Sequence, residues 1–456
     1  MTTPPLTPRP HTRPLTRRAV FAQAWPIMLG QASVPLVGIV DTAVIGRTGD
    51  AVALAGVALG ATVIGLVFWT FGFLRMGMTG LTAQAEGSGD RTEVEALLLR
   101  ALAVGLVMGA ILLALAWPLR EAALALLSAD AGVDAEAAGY MQGRFYGAPA
   151  ALAVYAMTGW LLGLGKTRHA LALQIVMNLA NIALDIAFVW GLGLGAFGVG
   201  IGTASAEAVA LVTGLLLVRQ VTGTGLPGVL RRTPRRLLTD RARLLRLFAV
   251  NRDIMIRTIA LLISFVWFAN AGARLGAEML AANHVLLQFV TLAAFILDAF
   301  AFTAEERVGH AVGKASRPAF LRAVRLTGEF SLASGALMAL AFLALGSTAI
   351  DLLTTDAAVR AIARSYLPFV ALVPLLGMPS WLLDGVFIGA TRGRALRNAA
   401  ILATTCYIVL DLLLRPAGNL GVWLAMLTSY LLRAGGLALY LPALLRDLRG
   451  GPPNPS

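Results

Sequence analysis

Residues 165–185 read GKTRHALALQIVMNLANIALD, and residues 389–411 read GATRGRALRNAAILATTCYIVLD. Each opens on a glycine-led basic turn, runs on through a mostly apolar stretch of helix length and closes on Leu-Asp. The glycines lie 224 residues apart (389 against 165) and the aspartates 226 apart (411 against 185). A third pair, Gly49 ahead of Leu54-Ala55 and Gly276 ahead of Leu280-Ala281, is separated by 227 (276 against 49). One shift of about 225 residues relates three separate places, the signature of an internal duplication.

Outward from these stretches, apolar runs bounded by polar or Gly/Pro residues fall near 19–46, 52–82, 93–117, 136–163, 169–190 and 196–219. Six more fall near 245–272, 278–303, 319–348, 361–388, 394–414 and 417–444. A membrane-crossing helix needs about 20 such residues. The expected fold is all-α and integral to the membrane, with twelve transmembrane helices in two six-helix lobes. The lobes are expected at 19–219 and 245–444, with a linker at 220–244 and tails at 1–18 and 445–456. Six spans per half give both repeats one orientation and place a cavity between the lobes near the midplane, the layout of alternating-access carriers. A channel would need a filter sequence or pore symmetry, and the sequence offers neither.

The composition agrees: 58% hydrophobic, 13% charged, mean hydropathy +0.78, against roughly 25% charge in soluble domains. The net charge of +13 resides between apolar runs and not on a compact basic module, so no nucleic-acid partner is expected. The basic N-terminus, the loops around Arg91, Lys166 to Arg168, Arg231 to Arg246, Arg307 to Arg317 and Arg392 to Arg397, and the tail at Arg446 to Arg449 all fall on one side. That side should be the cytoplasm, with both termini in it. The opposite loops, such as Ser128 to Glu136 and Thr354 to Ala358, are short or acidic. The arginine-rich linker suits anionic lipid headgroups, making membrane lipids partners. Arg13 to Arg18 ahead of Ala22-Gln23-Ala24 imitates a secretory signal, but the apolar region between them is too short, so the segment reads as the first span.

An ionised carboxylate at the bilayer centre costs about 2.5–3.5 kcal/mol, so each one within a span asks for a reason. Asp41 sits in the first span with no basic residue at helical spacing, suited to exchanging a proton as access alternates, or else to a structural bond with hydroxyls or backbone. Pro26 and Pro35 in the same run favour a bend there, a static one or a hinge. Asn181 and Asp185, four apart on one helix face with Asn178 nearby, offer oxygens suited to a proton or Na⁺, or else a polar seam between helices. Thr203 and Glu207, also four apart, could face the same cavity. Asp298 and Asp384 lack partners in their own helices and are candidates for the C-terminal part of the substrate cavity, or for pairing with an arginine of another span. Asp411 has Arg415 one turn on, which predicts an intrahelical ion pair. Asn251, Arg252, Asp253 and Arg257 read as a structural network at the cytoplasmic face.

The glycine run at 198–202 lacks the strand and lysine of a phosphate loop and reads as close helix packing. The four histidines are scattered, and Cys406 is the only cysteine. No metal site, internal disulfide, cofactor or clustered catalytic set is expected, which excludes an intramembrane acyl- or prenyl-transferase.

These residues carry a family resemblance. Val40-Asp41-Thr42-Ala43-Val44-Ile45-Gly46, Thr82-Ala83-Gln84-Ala85, Asn181 to Asp185, Asn251-Arg252-Asp253-Ile254 and Leu383 to Arg392 make the chain, from about Leu15 to Leu444, similar to the multidrug and toxic compound extrusion (MATE) transporters. The likeness is to their DNA-damage-inducible F branch in particular. It implies secondary antiport, in which inward H⁺ or Na⁺ drives export of small organic, often cationic or amphipathic compounds across the cytoplasmic membrane by a monomer. It further implies a cation site at Asp41, Asn181, Asp185 and Thr203, with Na⁺ possible at the first three, and Pro26 as the bending point. Two alternatives stand beside it. A lipid-linked oligosaccharide flippase would be expected to carry cationic residues in its cavity, where acidic ones are read here. A major-facilitator carrier would carry a Gly-Arg-Arg loop after the second span, which is missing.

Overall fold

The computed structural model describes residues 15–127 and 130–448. Most of the tail expected at 1–18, the first residues of the acidic loop at Ser128, and the tail from residue 449 on lie outside the described residues. No strand occurs among the described residues. In hydrocarbon every backbone N–H and C=O must be satisfied within the segment, and the chain answers with helices. The first half forms α1 (Arg17–Gly46), α2 (Ala51–Thr70), α3 (Phe73–Ser88), α4 (Arg91–Ala114), α5 (Ala116–Leu127), α6 (Ala131–Tyr146), α7 (Ala148–Gly163), α8 (Thr167–Ile186) and α9 (Gly195–Thr222). Then come α10 (Gly225–Arg232), α11 (Arg235–Thr239), α12 (Arg241–Ala273), α13 (Ala277–Gly313), α14 (Arg317–Leu353), α15 (Ala357–Gly389), α16 (Gly393–Leu413), α17 (Asn419–Ala438) and α18 (Leu441–Asp447). Eleven helical segments among the described residues are long and apolar enough to cross a membrane, and α6 with α7, bent by 52°, makes a twelfth.

The duplication is visible helix by helix. α2, α4, α6 and α8 start at Ala51, Arg91, Ala131 and Thr167, and α13, α14, α15 and α16 start 226 residues later (277 against 51, 317 against 91, 357 against 131, 393 against 167). Caps recur with them: Asp90 accepts the Glu93 N–H at 2.9 Å, and Ser316 accepts that of Ala319 at 3.4 Å. Such side-chain acceptors satisfy donors that the first turn leaves bare. The halves differ in continuity. The first half interrupts its spans at Gly72, Leu115 and Gly147, whereas α13, α14 and α15 run unbroken for 37, 37 and 33 residues. At Gly147 the cause is legible, because Pro149 lies in the first turn of α7 and cannot continue α6.

Three expected boundaries shift. The span expected at 278–303 continues to Gly313, so Glu305, Glu306 and Arg307 are helical. The linker at 220–244 is not plain coil: it holds α10 and α11, with Val229 buried. α16 ends at Leu413, and Arg415 with Pro416 begins a separate 3-10 turn, so the helix that would bring Arg415 to Asp411 stops short.

Within the first half α8 packs on α1 and α9; within the second, α16 packs on α12 and α17. The halves meet where α3 and α1 lie against α13. Glycines set the closest approaches of this seam. A Cβ on Gly87 would lie 2.2 Å from the His310 carbonyl oxygen, on Gly313 2.1 Å from that of Gln84, and on Gly80 2.3 Å from that of Ile388. Small residues of this kind let membrane helices approach backbone to backbone. Beside the seam, the Gln84 amide donates to Gly389 O (2.9 Å) and Thr391 Oγ1 (3.1 Å), and Arg246 donates to Gln84 Oε1 (2.9 Å). Gln23 of α1 donates to Glu306 (2.8 Å) and accepts from Arg307 (2.7 Å). The halves therefore close at the ends that carry the basic turns.

Candidate functional site

α1, α8 and α9 bring Asp41, Asn181, Asp185 and Thr203 together, all buried, Asp185 at 0% exposure. The i, i+4 spacing places Asn181 one turn before Asp185, and its Nδ2 donates to Asp185 Oδ2 (3.0 Å) and to Thr203 Oγ1 (3.0 Å). The Thr203 hydroxyl donates to Val199 O (3.2 Å). The Asp41 carboxyl faces that of Asp185 within hydrogen-bonding reach. Asp41 Oδ1, Asn181 Oδ1 and Asp185 Oδ1 are buried with no hydrogen-bond partner in the protein. Gly202 explains how α9 comes so close: a Cβ there would lie 2.1 Å from Asp185 Oδ1. Just past Asp185 the helix widens into a π turn at Ala187–Gly191, from which Trp190 donates to Val44 O (3.0 Å) and ties α8 to α1. A π turn costs helix regularity and is often found at functional sites.

The cation nearest this group is one that the sequence reading passed over. Arg144 of α6 is buried and donates to Glu207 Oε1 at 2.9 Å, so Glu207 is an ion-pair partner next to the cluster and not a free lining carboxylate. Asn178 accepts from Gln174 (2.8 Å) and donates to Ser33 O (3.2 Å), fastening α8 to α1 instead of joining the cluster. Pro26 and Pro35 both lie inside the continuous helix α1.

In the second half the expected cavity carboxylates are largely spent. Asp384 pairs closely with Arg257 and lies 3.8 Å from Arg433 Nη2, which donates to Ser380 (2.7 Å). This places Arg257 away from the network at Asp253, where Arg252 (3.2 Å) and Arg397 (3.0 Å) bind. Asp298 is half-buried amid Arg75, Arg257, Arg433 and Asp384. Asp411 accepts from Arg274 (2.7 Å) and the Trp267 indole (2.9 Å), replacing the expected partner Arg415. The sequence reading also missed Glu305, buried with Oε2 unpartnered, and Arg75, whose guanidinium lies 3.9 Å over the Phe302 ring. A count of basic as well as acidic residues within the spans would have found the arginines. The reading of acidic spans alone is corrected, since Arg144, Arg257 and Arg433 are all buried.

With a shift of 226, the two sites superpose residue by residue in sequence: Asp41 on Trp267, Asn178 on Thr404, Asn181 on Tyr407, Asp185 on Asp411, Thr203 on Ser429 and Glu207 on Arg433. Among the described residues no group of three or more His, Cys, Asp or Glu is placed to hold a metal ion.

Repeated bundles of apolar spans enclosing buried, unmatched polar groups define a multi-pass membrane carrier. A family model described as MatE matches residues 26–187 and 254–413, one stretch in each half. Over 422 residues the chain is 36% identical to the DNA damage-inducible protein F of Escherichia coli (strain K12), covering 92% of this chain and 91% of that one. It is 27% identical over 357 residues to the multidrug resistance protein PmpM of Pseudomonas aeruginosa, covering 78% and 74%. In fold it is similar to the Vibrio cholerae MATE transporter VcmN in the bent form, with a TM-score of 0.84 at 20% identity over 95% and 98% of the two chains. The chain belongs to the MATE family: it is a transporter and not an enzyme, and the major-facilitator alternative falls.

Proposed function

We propose that the protein is a cation-coupled antiporter that exports small organic, often cationic or amphipathic compounds across the cytoplasmic membrane by alternating access. The observation that carries this reading is the facing pair Asp41 and Asp185, which together with Asn181 holds three buried oxygens that no protein donor meets. Two carboxylates so close repel when both are ionised, and a proton or Na⁺ arriving between them relieves that repulsion. Asn181 and Thr203 orient the Asp185 side of the pair. Asp41 rides on α1, the helix whose Gln23 end grips Glu306 and Arg307 of the other half. A change of charge at Asp41 therefore acts on the same element that holds the seam, and Pro26, lying between the two points, is the place for α1 to bend. Each proton entering across 100 mV supplies about 2.3 kcal/mol for this work.

In this reading the lobes are 19–219 and 245–444, the linker and both termini face the cytoplasm, lipid headgroups contact the arginine-rich linker, and a monomer suffices. The relatives named for multidrug resistance support the substrate class. The test is purified protein in liposomes with an imposed pH or Na⁺ gradient and a fluorescent organic cation as substrate. Transport driven by one gradient and not the other names the coupling ion. Transport indifferent to both would end the proposal.

A further inference from the structure

Where the start of α1 meets the second half, an open groove of about 800 Å³ runs between the first turn of α1 and the first turns of α14, walled by Arg17, Arg18, Leu321, Arg322, Arg325 and Glu329 among others. Four guanidiniums against one carboxylate leave it strongly positive. Glu329 accepts from Arg17 Nε (2.9 Å) and from Arg325 Nε (3.0 Å), and Arg322 Nε donates to Leu15 O (2.6 Å). All three bonds are made through Nε, which leaves the Nη1–Nη2 edge of each guanidinium for another acceptor. Arg17 and Arg325 are 70% and 76% exposed.

The groove lies at the depth of lipid headgroups. Residues 330–350 of α14 carry no charge, about the length that crosses the hydrocarbon. Glu329 therefore marks the edge of that layer, and the arginines before it stand among headgroups with their stems along the protein. At the same edge Phe21 of α1, 51% exposed, lies 6.2 Å from Phe330 of α14, apolar surface on the same pair of helices for the start of an acyl chain. The chain ahead of Leu15 carries Arg9 and Arg13 and no Asp or Glu, so it does not bring the missing anion. A guanidinium edge takes two phosphate oxygens at once, and basic pockets between spans suit anionic headgroups. We propose that this groove binds the phosphate of an anionic phospholipid, bridging Arg17 and Arg18 of α1 to Arg322 and Arg325 of α14. The lipid then holds the start of α1 to the other half. The inference rests on the membrane setting of the spans and not on the direction or coupling of transport.

The test uses the full chain in dodecyl maltoside micelles, with retained lipid counted by native mass spectrometry as phosphatidylglycerol or phosphatidylcholine is added. Phosphatidylglycerol binds about tenfold or more tighter than phosphatidylcholine, whose choline the arginines repel. Arg322→Gln with Arg325→Gln brings it down to the phosphatidylcholine level, whereas Arg235→Gln with Arg236→Gln, in the linker, keeps the preference. Glu329→Gln removes the one carboxylate and tightens phosphatidylglycerol several-fold, a gain that misfolding cannot imitate. Asp41→Asn binds the lipid like wild type, so failure of the coupling proposal and failure of this one read out separately. Equal binding of the two lipids, a preference that survives in the groove variant, or weaker binding in Glu329→Gln would overturn the assignment. So would displacement of phosphatidylglycerol by millimolar inorganic phosphate, which would make the groove a site for the free anion.

Discussion

The bundles α1–α8–α9 and α12–α16–α17 are the same three helices packed in the same pairs, 226 residues apart, yet they treat the same carboxylate in opposite ways. Asp185 has an amide neighbour, another carboxyl opposite and an oxygen that nothing meets. Asp411, in its place, is held by a guanidinium and an indole. The residue at the position of Asp41 is Trp267, so the acid that would face Asp411 has become its donor. The helices lie in the same places, and a handful of differing residues decide whether a buried carboxylate keeps an unmet oxygen or is held by donors.

The sharpest way to break this contrast is to neutralise both sides. Asp41→Asn or Asp185→Asn should reduce gradient-driven transport to background while the protein inserts and melts as before; Asp411→Asn should keep its transport. Retained coupling in Asp41→Asn would put the exchanging group elsewhere. Stability should run the other way. Asp384→Ala leaves Arg257 and Arg433 buried without their anion, a loss of about 3–5 kcal/mol seen as a lower melting temperature, whereas the Asp185→Asn protein shows none. Smaller is the effect of Gly313→Val, whose side chain meets Gln84 O and wedges the seam. In a Cys406→Ser background carrying Thr82→Cys, buried in the wild type, it should raise labelling by a water-soluble maleimide several-fold. Smallest is Asp447→Asn, which breaks a half-exposed pair with Arg392 and should change stability by less than about 1 kcal/mol.

The contrast also marks how far the sequence could be read. Spans announce themselves because a bilayer asks for length and apolarity, and the repeat does so because its glycine turns and Leu-Asp pairs kept their spacing. Asn181 and Asp185 were legible as a pair because four residues make one helical turn. Arg144 and Glu207 were not, because their pairing crosses from α6 to α9 and no local rule links positions 63 apart. Arg415 misled for a related reason: spacing of four means contact only where the helix continues, and Pro416 ends it. Glu305 and Glu306 were lost to hydropathy, which places charged residues at a span's end in water, where here α13 carries on against the other half.

The close approaches at Gly80, Gly87 and Gly313 bear on what it takes to part the halves. Where glycine meets carbonyl there is almost no side-chain surface to uncover, and those carbonyls are already bonded along their own helices. Water entering the parted seam gains little unfavourable apolar area and finds few broken hydrogen bonds to repair. Such a closure is tight against leakage because backbones touch, while the apolar contact between the halves lies beside it, as where Ile27 of α1 packs with Ala299 and Phe302 of α13. A polar grip stands beside it, at Gln23 of α1 and Gln84 of α3, and the Gln23 contacts to Glu306 and Arg307 are the ones that a change of tilt in α1 would strain.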